Sequence, residues 1–324
     1  MADYSWPSIG HEKIIDFLDR TLQNDKVAQT YIFIGPDDLG KSTVALALAR
    51  NLQGDPQQLN SDLHILQPEE GKKSISIEQV REFIKMLSLS SFLNSYKIGL
   101  IKQADILSAE AKSALLKTLE EPKEKVVIIL LVNKEEALPE TILSRGQKLY
   151  FNPVPAAAIY DYLLKNYQAN RSLAKDLAGL SLGRPLVAVK YLENPELYSR
   201  YLSRAEIWLD IIMSDLDARW RLLDQLFIDK TWSKQAVETA SEILDVSEGL
   251  ARDLLLLTVD QPDRLQHGAI LDKLKSTKSF LDAAYGADSV AAILREFRLI
   301  AQAREYLSGN VNPRLVLEQI IINL

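Results

Sequence analysis

Eight consecutive residues, Gly35-Pro36-Asp37-Asp38-Leu39-Gly40-Lys41-Ser42, have the types and spacing to hold a phosphate chain. They match the pattern G-x-x-x-x-G-K-[ST] at every specified position, between an apolar run and a helix-forming run. Gly35 and Gly40 let successive backbone N–H groups turn inward around phosphate oxygens. A helix starting here adds the positive end of its dipole. Lys41 would neutralise the outer phosphates and Ser42 would ligate Mg²⁺, so the implied cofactor is ATP with magnesium. The alternative is a chance match in a glycine turn. Asp37 and Asp38 are unusual in such a loop, because they put two negative charges where anions bind. They are expected to weaken affinity unless their side chains turn to solvent.

Hydrolysis needs more than a cradle. An Asp at the end of a neighbouring strand holds the magnesium shell, and a following Glu polarises the attacking water. The candidate strand is Ile98-Gly99-Leu100-Ile101, and the residues after it are Lys102-Gln103-Ala104-Asp105. A lysine stands in the Asp position and repels Mg²⁺. A glutamine stands in the Glu position and is a poor base. Asp105 lies three positions further on, either as a capping or surface carboxylate or as a displaced catalytic one. The pattern predicts a chain that binds nucleotide but hydrolyses it slowly or not at all on its own.

The elements that must position these residues follow from periodicity. Tyr31-Ile32-Phe33-Ile34 reads as a buried strand leading into the glycine loop, and residues 42–52 read as a helix. Residues 108–121 read as a second helix capped by Ser108 and followed by Pro122. Val126-Val127-Ile128-Ile129-Leu130-Leu131-Val132 is a further strand, and residues 148–151 are a short one. Strands alternating with helices predict a parallel α/β sheet. Asn152-Pro153-Val154-Pro155 breaks that rhythm, since two prolines continue neither helix nor central strand. From Ala156 onward the pattern is helical. Asn194-Pro195 marks a second break, and Asn310-Val311-Asn312-Pro313 reads as a turn before a last helix at 314–323. The expected class is α/β plus all-α, with boundaries at 1–153, 154–194 and 195–324.

Composition bounds the alternatives. The chain has 324 residues, 47% hydrophobic and 25% charged, which fits two or three globular domains. A formal net charge of −6 means that any contact with DNA comes from a local basic patch. There are no cysteines, which excludes disulfides and thiolate metal sites and fits a reducing cytoplasm. His11, His64 and His267 are too far apart in sequence to suggest a metal cluster. The start of the chain lacks a signal pattern, and the longest apolar run is too short to span a bilayer, so no membrane association is expected.

Several segments carry a family likeness. Ile9-Gly10-His11-Glu12 is similar to the adenine-side motif of clamp loaders, and Ser74-Ile75-Ser76-Ile77-Glu78-Gln79-Val80-Arg81 resembles the segment before their second core helix. Ala114-Leu115-Leu116-Lys117-Thr118-Leu119-Glu120-Glu121-Pro122 looks like their most recognisable stretch. Leu138-Pro139-Glu140-Thr141-Ile142-Leu143-Ser144-Arg145 matches their S-R-C segment, except that Gly146 replaces the cysteine. The tail, from Asn310-Val311-Asn312-Pro313-Arg314 to Glu318, resembles the end of delta-prime subunits of DNA polymerase III. The likeness is dense over about residues 5–192 and sparse beyond, apart from that tail.

This resemblance to the bacterial clamp-loader AAA+ family implies a P-loop core, a small helical lid and a helical collar. It implies assembly with gamma/tau motor and delta subunits in a ring that loads the sliding clamp on primed DNA. It makes Arg145 an arginine finger reaching a neighbour's ATP site, against the alternative of a surface salt bridge. Arg184 falls where the lid's nucleotide-sensing arginine lies. Asn133 falls at the sensor position after the third strand, or is a turn residue. The four-cysteine zinc module frequent in the family is missing between Asn51 and Ile65. Lys112 and Lys117 are candidates for DNA phosphates or plain solvated surface. Trp208, Trp220, Phe227 and Trp232 read as helix-packing core. Two other readings stand beside the stator-like one: an active motor ATPase with a shifted acidic strand end, and an AAA+ scaffold unrelated to replication.

Overall fold

A computed structural model describes residues 4–7, 9–54, 62–69, 72, 74–89, 96–121, 123–228 and 232–324. The chain divides into two compact units: Met1–Tyr162 with Gly183–Val187, and Leu163–Leu182 with Ala188–Leu324.

The first unit alternates helix and strand in chain order: α1 (Glu12–Gln23), β1 (Thr30–Ile34), α2 (Lys41–Gln53), β2 (Leu63–Leu66), α3 (Ile77–Ser88), β3 (Lys97–Ile101), α4 (Ala109–Glu120), β4 (Val126–Val132), α5 (Glu140–Leu143) and β5 (Gln147–Tyr150). The strands form one parallel sheet in the order β2-β3-β4-β1-β5. Every residue of β1, β3 and β4 is buried. That is why these strands read as unbroken apolar runs: successive side chains point to opposite faces, and both faces are covered. Ile32, Ile34, Ile128 and Leu130 pack with Phe83 and Leu87 of α3 and Leu115 of α4. Tyr31, Phe33, Val127 and Ile129 pack with Leu18 of α1 and Val44 and Leu48 of α2. Gly99 lets α3 approach β3, since a Cβ there would lie 2.7 Å from the Phe83 ring.

The strands expected from sequence are present, and β2 adds one that the apolar pattern does not announce. Its four residues, Leu-His-Ile-Leu, form an edge strand with only Leu66 fully buried, so no continuous apolar run marks it. Ser108 caps α4 as expected, its side chain accepting the N–H of Ala111. Pro122 and residues 55–61 lie outside the described residues.

The remaining helices are α6 (Ala156–Tyr167), α7 (Arg171–Leu180), α8 (Pro185–Glu193), α9 (Pro195–Met213), α10 (Leu216–Leu226), α11 (Lys234–Thr258), α12 (Leu271–Tyr285), α13 (Ser289–Ser308) and α14 (Pro313–Asn323). Asn194 and Asn312 cap α9 and α14, each of which starts on a proline, whose missing N–H is free of cost at that position. The core of the second unit is apolar side chains of α9 to α14. Trp208 and Phe227 are fully buried in it and Trp220 packs against it. Trp232 departs from the expectation: it is 53% exposed, in the stretch before α11 and outside that core.

The second unit also holds a buried polar hub. The carboxylate of Asp253 accepts the backbone N–H groups of Gln266 and His267 and contacts His267 Nδ1 at 2.9 Å. His267 Nε2 meets the Tyr201 hydroxyl at 2.7 Å, and Gln266 Nε2 donates to the carbonyl of Leu180 at 3.2 Å. The hub thus ties α9, α11 and the end of α7 together.

Candidate functional site

β1 ends at Ile34 and the chain turns at once through Gly35, whose φ is 149°. A Cβ at Gly35 would run into the carbonyl oxygen of Phe151, the residue whose N–H extends the β1–β5 ladder to Ile34 at 2.7 Å. Gly40 has φ 95° and its Cβ position is open, so conformation rather than crowding calls for glycine there. His11 fastens the loop from outside. Its Nε2 bonds the Leu39 carbonyl at 2.8 Å and its ring lies 4.6 Å from that of Phe151. Burial holds this imidazole below its usual pKa, keeping it neutral. The segment before α1 and the glycine loop are therefore physically joined.

Lys41 starts α2 with its side chain only 7% exposed. Its three ammonium protons have three acceptors: the Gly35 carbonyl, the Val132 carbonyl at 2.9 Å and Asn133 Oδ1 at 2.8 Å. Burial lowers its pKa, while Asp37, Asp105 and Asp38 pull it back up. Asn133 follows the end of β4 and spans two partners, since its Nδ2 also donates to Asp37 Oδ2 at 3.0 Å. Asp37 Oδ1 lies 3.9 Å from Lys41 Nζ.

The space bounded by these groups is a cavity of about 530 Å³, lined by Gly40, Lys41, Ser42, Lys102, Gln103 and Asn133 among others. Thus the loop, the replaced strand end and Asn133 do converge. Gln67, Pro68 and Leu186 also line it. Sequence reasoning missed the first two because β2 was not recognised; a Gln-Pro pair closing a strand would have been the signal. Leu186 belongs to the strap 183–187, and its N–H donates to the Asp38 carbonyl at 3.2 Å. Arg184 lies in the same strap but is not among the lining residues described.

The end of β3 has no carboxylate aimed at this cavity. Lys102 and Gln103 occupy it, with Gln103 in a left-handed turn, φ 54°. Asp105 is committed elsewhere: its Oδ1 accepts the backbone N–H of Asn133 at 2.7 Å and of Lys134 at 3.4 Å. It pins the end of β4 and so sets the position of Asn133. The donor set therefore fits a phosphate chain, through the loop N–H groups, Lys41 and Ser42. The end of β3 adds no magnesium anchor, because an ammonium and an amide stand there, and the acids that line the cavity are Asp37 and Asp38 of the loop itself.

Arg145 follows α5 and is exposed. Nη2 bonds Glu120 Oε1 at 2.7 Å and Nη1 bonds the Thr141 carbonyl at 2.6 Å. Gly146 has a packing reason: a Cβ there would stand 2.6 Å from Cγ1 of Ile32. Lys112 donates to the Ala137 carbonyl at 2.8 Å and so braces the segment before α5, whereas Lys117 is exposed. Among the described residues no group of histidines and acids could hold a metal, and no helix is long and apolar enough to cross a membrane.

A family model described as DNA polymerase III, delta subunit, matches residues 10–155. The delta-prime subunit of Bacillus subtilis DNA polymerase III is 24% identical over 99% of this chain and 98% of that one. The Pseudomonas aeruginosa delta-prime subunit is 31% identical over 50% of this chain and 55% of that one. The Bacillus subtilis tau subunit is 22% identical over 98% of this chain but 60% of its own length. A Thermotoga maritima gamma subunit-related protein superposes with a TM-score of 0.49 at 20% identity, over 94% of this chain and 97% of that one. Over residues 10–155, and at lower identity over its whole length, the chain is therefore similar to delta-prime subunits of the DNA polymerase III clamp loader.

Proposed function

We propose that this chain is a non-hydrolysing AAA+ stator of a cytoplasmic clamp loader, assembling with gamma/tau and delta subunits to load a sliding clamp on primed DNA. The relatives named above are DNA polymerase III subunits, which supports those partners. The observation that carries the reading is the end of β3: Lys102 and Gln103 face the cavity while Asp105 is spent on the backbone of Asn133 and Lys134. Without an acid there, the strand end neither anchors Mg²⁺ nor activates water. The cradle holds a nucleotide as a ligand, with Lys41 and Ser42 on its phosphates and Asn133 facing its outer end. Lys41 must exchange its internal acceptors for phosphate oxygens, so affinity is modest. Arg184, in the strap that Leu186 bonds to the loop, is the candidate nucleotide-sensing arginine.

Within this proposal Arg145 acts in trans on a neighbouring subunit's ATP. A guanidinium stabilises charge developing on the terminal phosphate. Its exposure and its anchoring by Glu120 suit a group presented to a partner. The division into core, lid and collar at 1–153, 154–194 and 195–324 belongs to the same proposal.

The test is steady-state ATPase of the purified chain and of its complex with gamma/tau and delta subunits. The chain alone is expected to show no turnover sensitive to Lys41→Ala. In the complex, Arg145→Ala is expected to lower clamp- and DNA-stimulated turnover without dissolving the assembly. The intact loop motif and the match to tau favour a second reading, an active motor. Steady turnover by the chain alone, lost in Lys41→Ala, would establish that reading instead.

A further inference from the structure

We propose that Asp37 is a built-in stand-in for the outermost phosphate, so that the cavity takes a nucleoside diphosphate in preference to a triphosphate. The proposal rests on reading residues 35–42 as a phosphate cradle.

A bound phosphate chain meets the cradle in order. Its inner groups meet the N–H groups at the start of α2, beside Gly40 and Ser42. Its outer end reaches Lys41 and then Asn133, on the far side at the end of β4. Those two donors are already engaged by one carboxylate: Asp37 Oδ2 takes Asn133 Nδ2 at 3.0 Å, and Oδ1 stands 3.9 Å from Lys41 Nζ. A carboxylate presents two acceptor oxygens and a negative charge, as one edge of a phosphate does.

Neither partner yields easily. Asn133 is held at its backbone by Asp105 at 2.7 Å, and Lys41 is buried against the carbonyls of Gly35 and Val132. The loop is tethered behind Asp37 by the bond from Leu186 N–H to the Asp38 carbonyl at 3.2 Å. A third phosphate must therefore displace the Asp37 carboxylate or share Lys41 and Asn133 with it, against like-charge repulsion. A diphosphate ends before that point. No magnesium ligand at the end of β3 offsets the extra charge of the triphosphate, since Lys102 and Gln103 stand there.

The experiment is calorimetric titration of the full chain with ADP and with ATP at one fixed magnesium concentration. Wild type, Asp37→Asn and Asp38→Asn are compared; the last makes the same charge change one residue away. Wild type is expected to bind ADP more tightly than ATP. Because Asp37 is largely exposed, its charge acts through water, and Asp37→Asn is expected to tighten ATP about fivefold, equivalent to about 1 kcal/mol. ADP should tighten by less than about threefold. Asp38→Asn should leave the ADP-to-ATP ratio near that of wild type. Three results overturn the proposal: tighter ATP binding by wild type, an unchanged ratio in Asp37→Asn, or an equal change of ratio in Asp38→Asn. Failure of wild type and Asp37→Asn to bind either nucleotide overturns it as well. The stator reading would survive that last result, because it is decided by turnover in the assembled complex.

Discussion

Glu296 of α13 is 4% exposed, and the partner of its carboxylate is Trp208 Nε1 of α9 at 2.9 Å. Burial pushes its pKa up from 4.5 to about 7, and the single Trp208 hydrogen bond pulls back only part of that rise. A carboxyl whose folded pKa lies above its unfolded one binds more protons in the folded state. Stability is then fullest below about pH 4.5, falls as pH rises toward 7 and levels off above it. At about 1.4 kcal/mol per unit, a rise of roughly 2.5 units corresponds to about 3 kcal/mol lost across that window. Glu296→Gln removes the titration. Its amide oxygen still accepts from Trp208, while its extra N–H group is left without a partner at a cost of about 1–3 kcal/mol.

The variant is therefore expected to be less stable than wild type at pH 4.5 and as stable or more so at pH 8. The wild-type-minus-variant difference should change by about 3 kcal/mol between those limits. Urea unfolding followed by tryptophan fluorescence measures it. Of the four tryptophans, Trp208, Trp220 and Trp232 lie in the second unit, so the signal is dominated by the unit that contains Glu296. Comparing the two proteins at each pH cancels the titration of every other group. Stability curves that run parallel from pH 4.5 to 8 would refute the reasoning, since they would mean that Glu296 carries the same charge in both states.

Asp105→Ala is expected to destabilise the first unit by about 1–3 kcal/mol in thermal melts, through two unpaired N–H groups at the end of β4, and to leave ATP turnover unchanged. An accompanying loss of rapid turnover would instead make Asp105 catalytic. Gly146→Cys, which restores the family's usual residue, should cost about 1–3 kcal/mol because Ile32 fills the space; an unchanged melting curve would mean that the strand shifts freely. Asp253→Ala leaves the N–H groups of Gln266 and His267 without their acceptor. It should lower the stability of the second unit by about 3 kcal/mol, with faster amide exchange at residues 266 and 267.

Short-range pattern alone determined much of this chain. The phosphate loop, the buried strands around it, the cap at Ser108, the break at Asn194-Pro195 and the replacement of both acids after β3 are legible because each is set within a few residues by local geometry or by burial on both faces of a strand. Tertiary structure decided the rest. It added the half-buried edge strand β2, exposed Trp232 and set Lys112 to brace a loop. It joined Asp105 to Asn133, 28 residues away, and Asn133 to Asp37, 96 residues away. Hydrogen bonds between groups that distant in sequence leave no local periodicity. They arise only when parallel strands bring their carboxyl ends together at one edge of the sheet, where the candidate site lies.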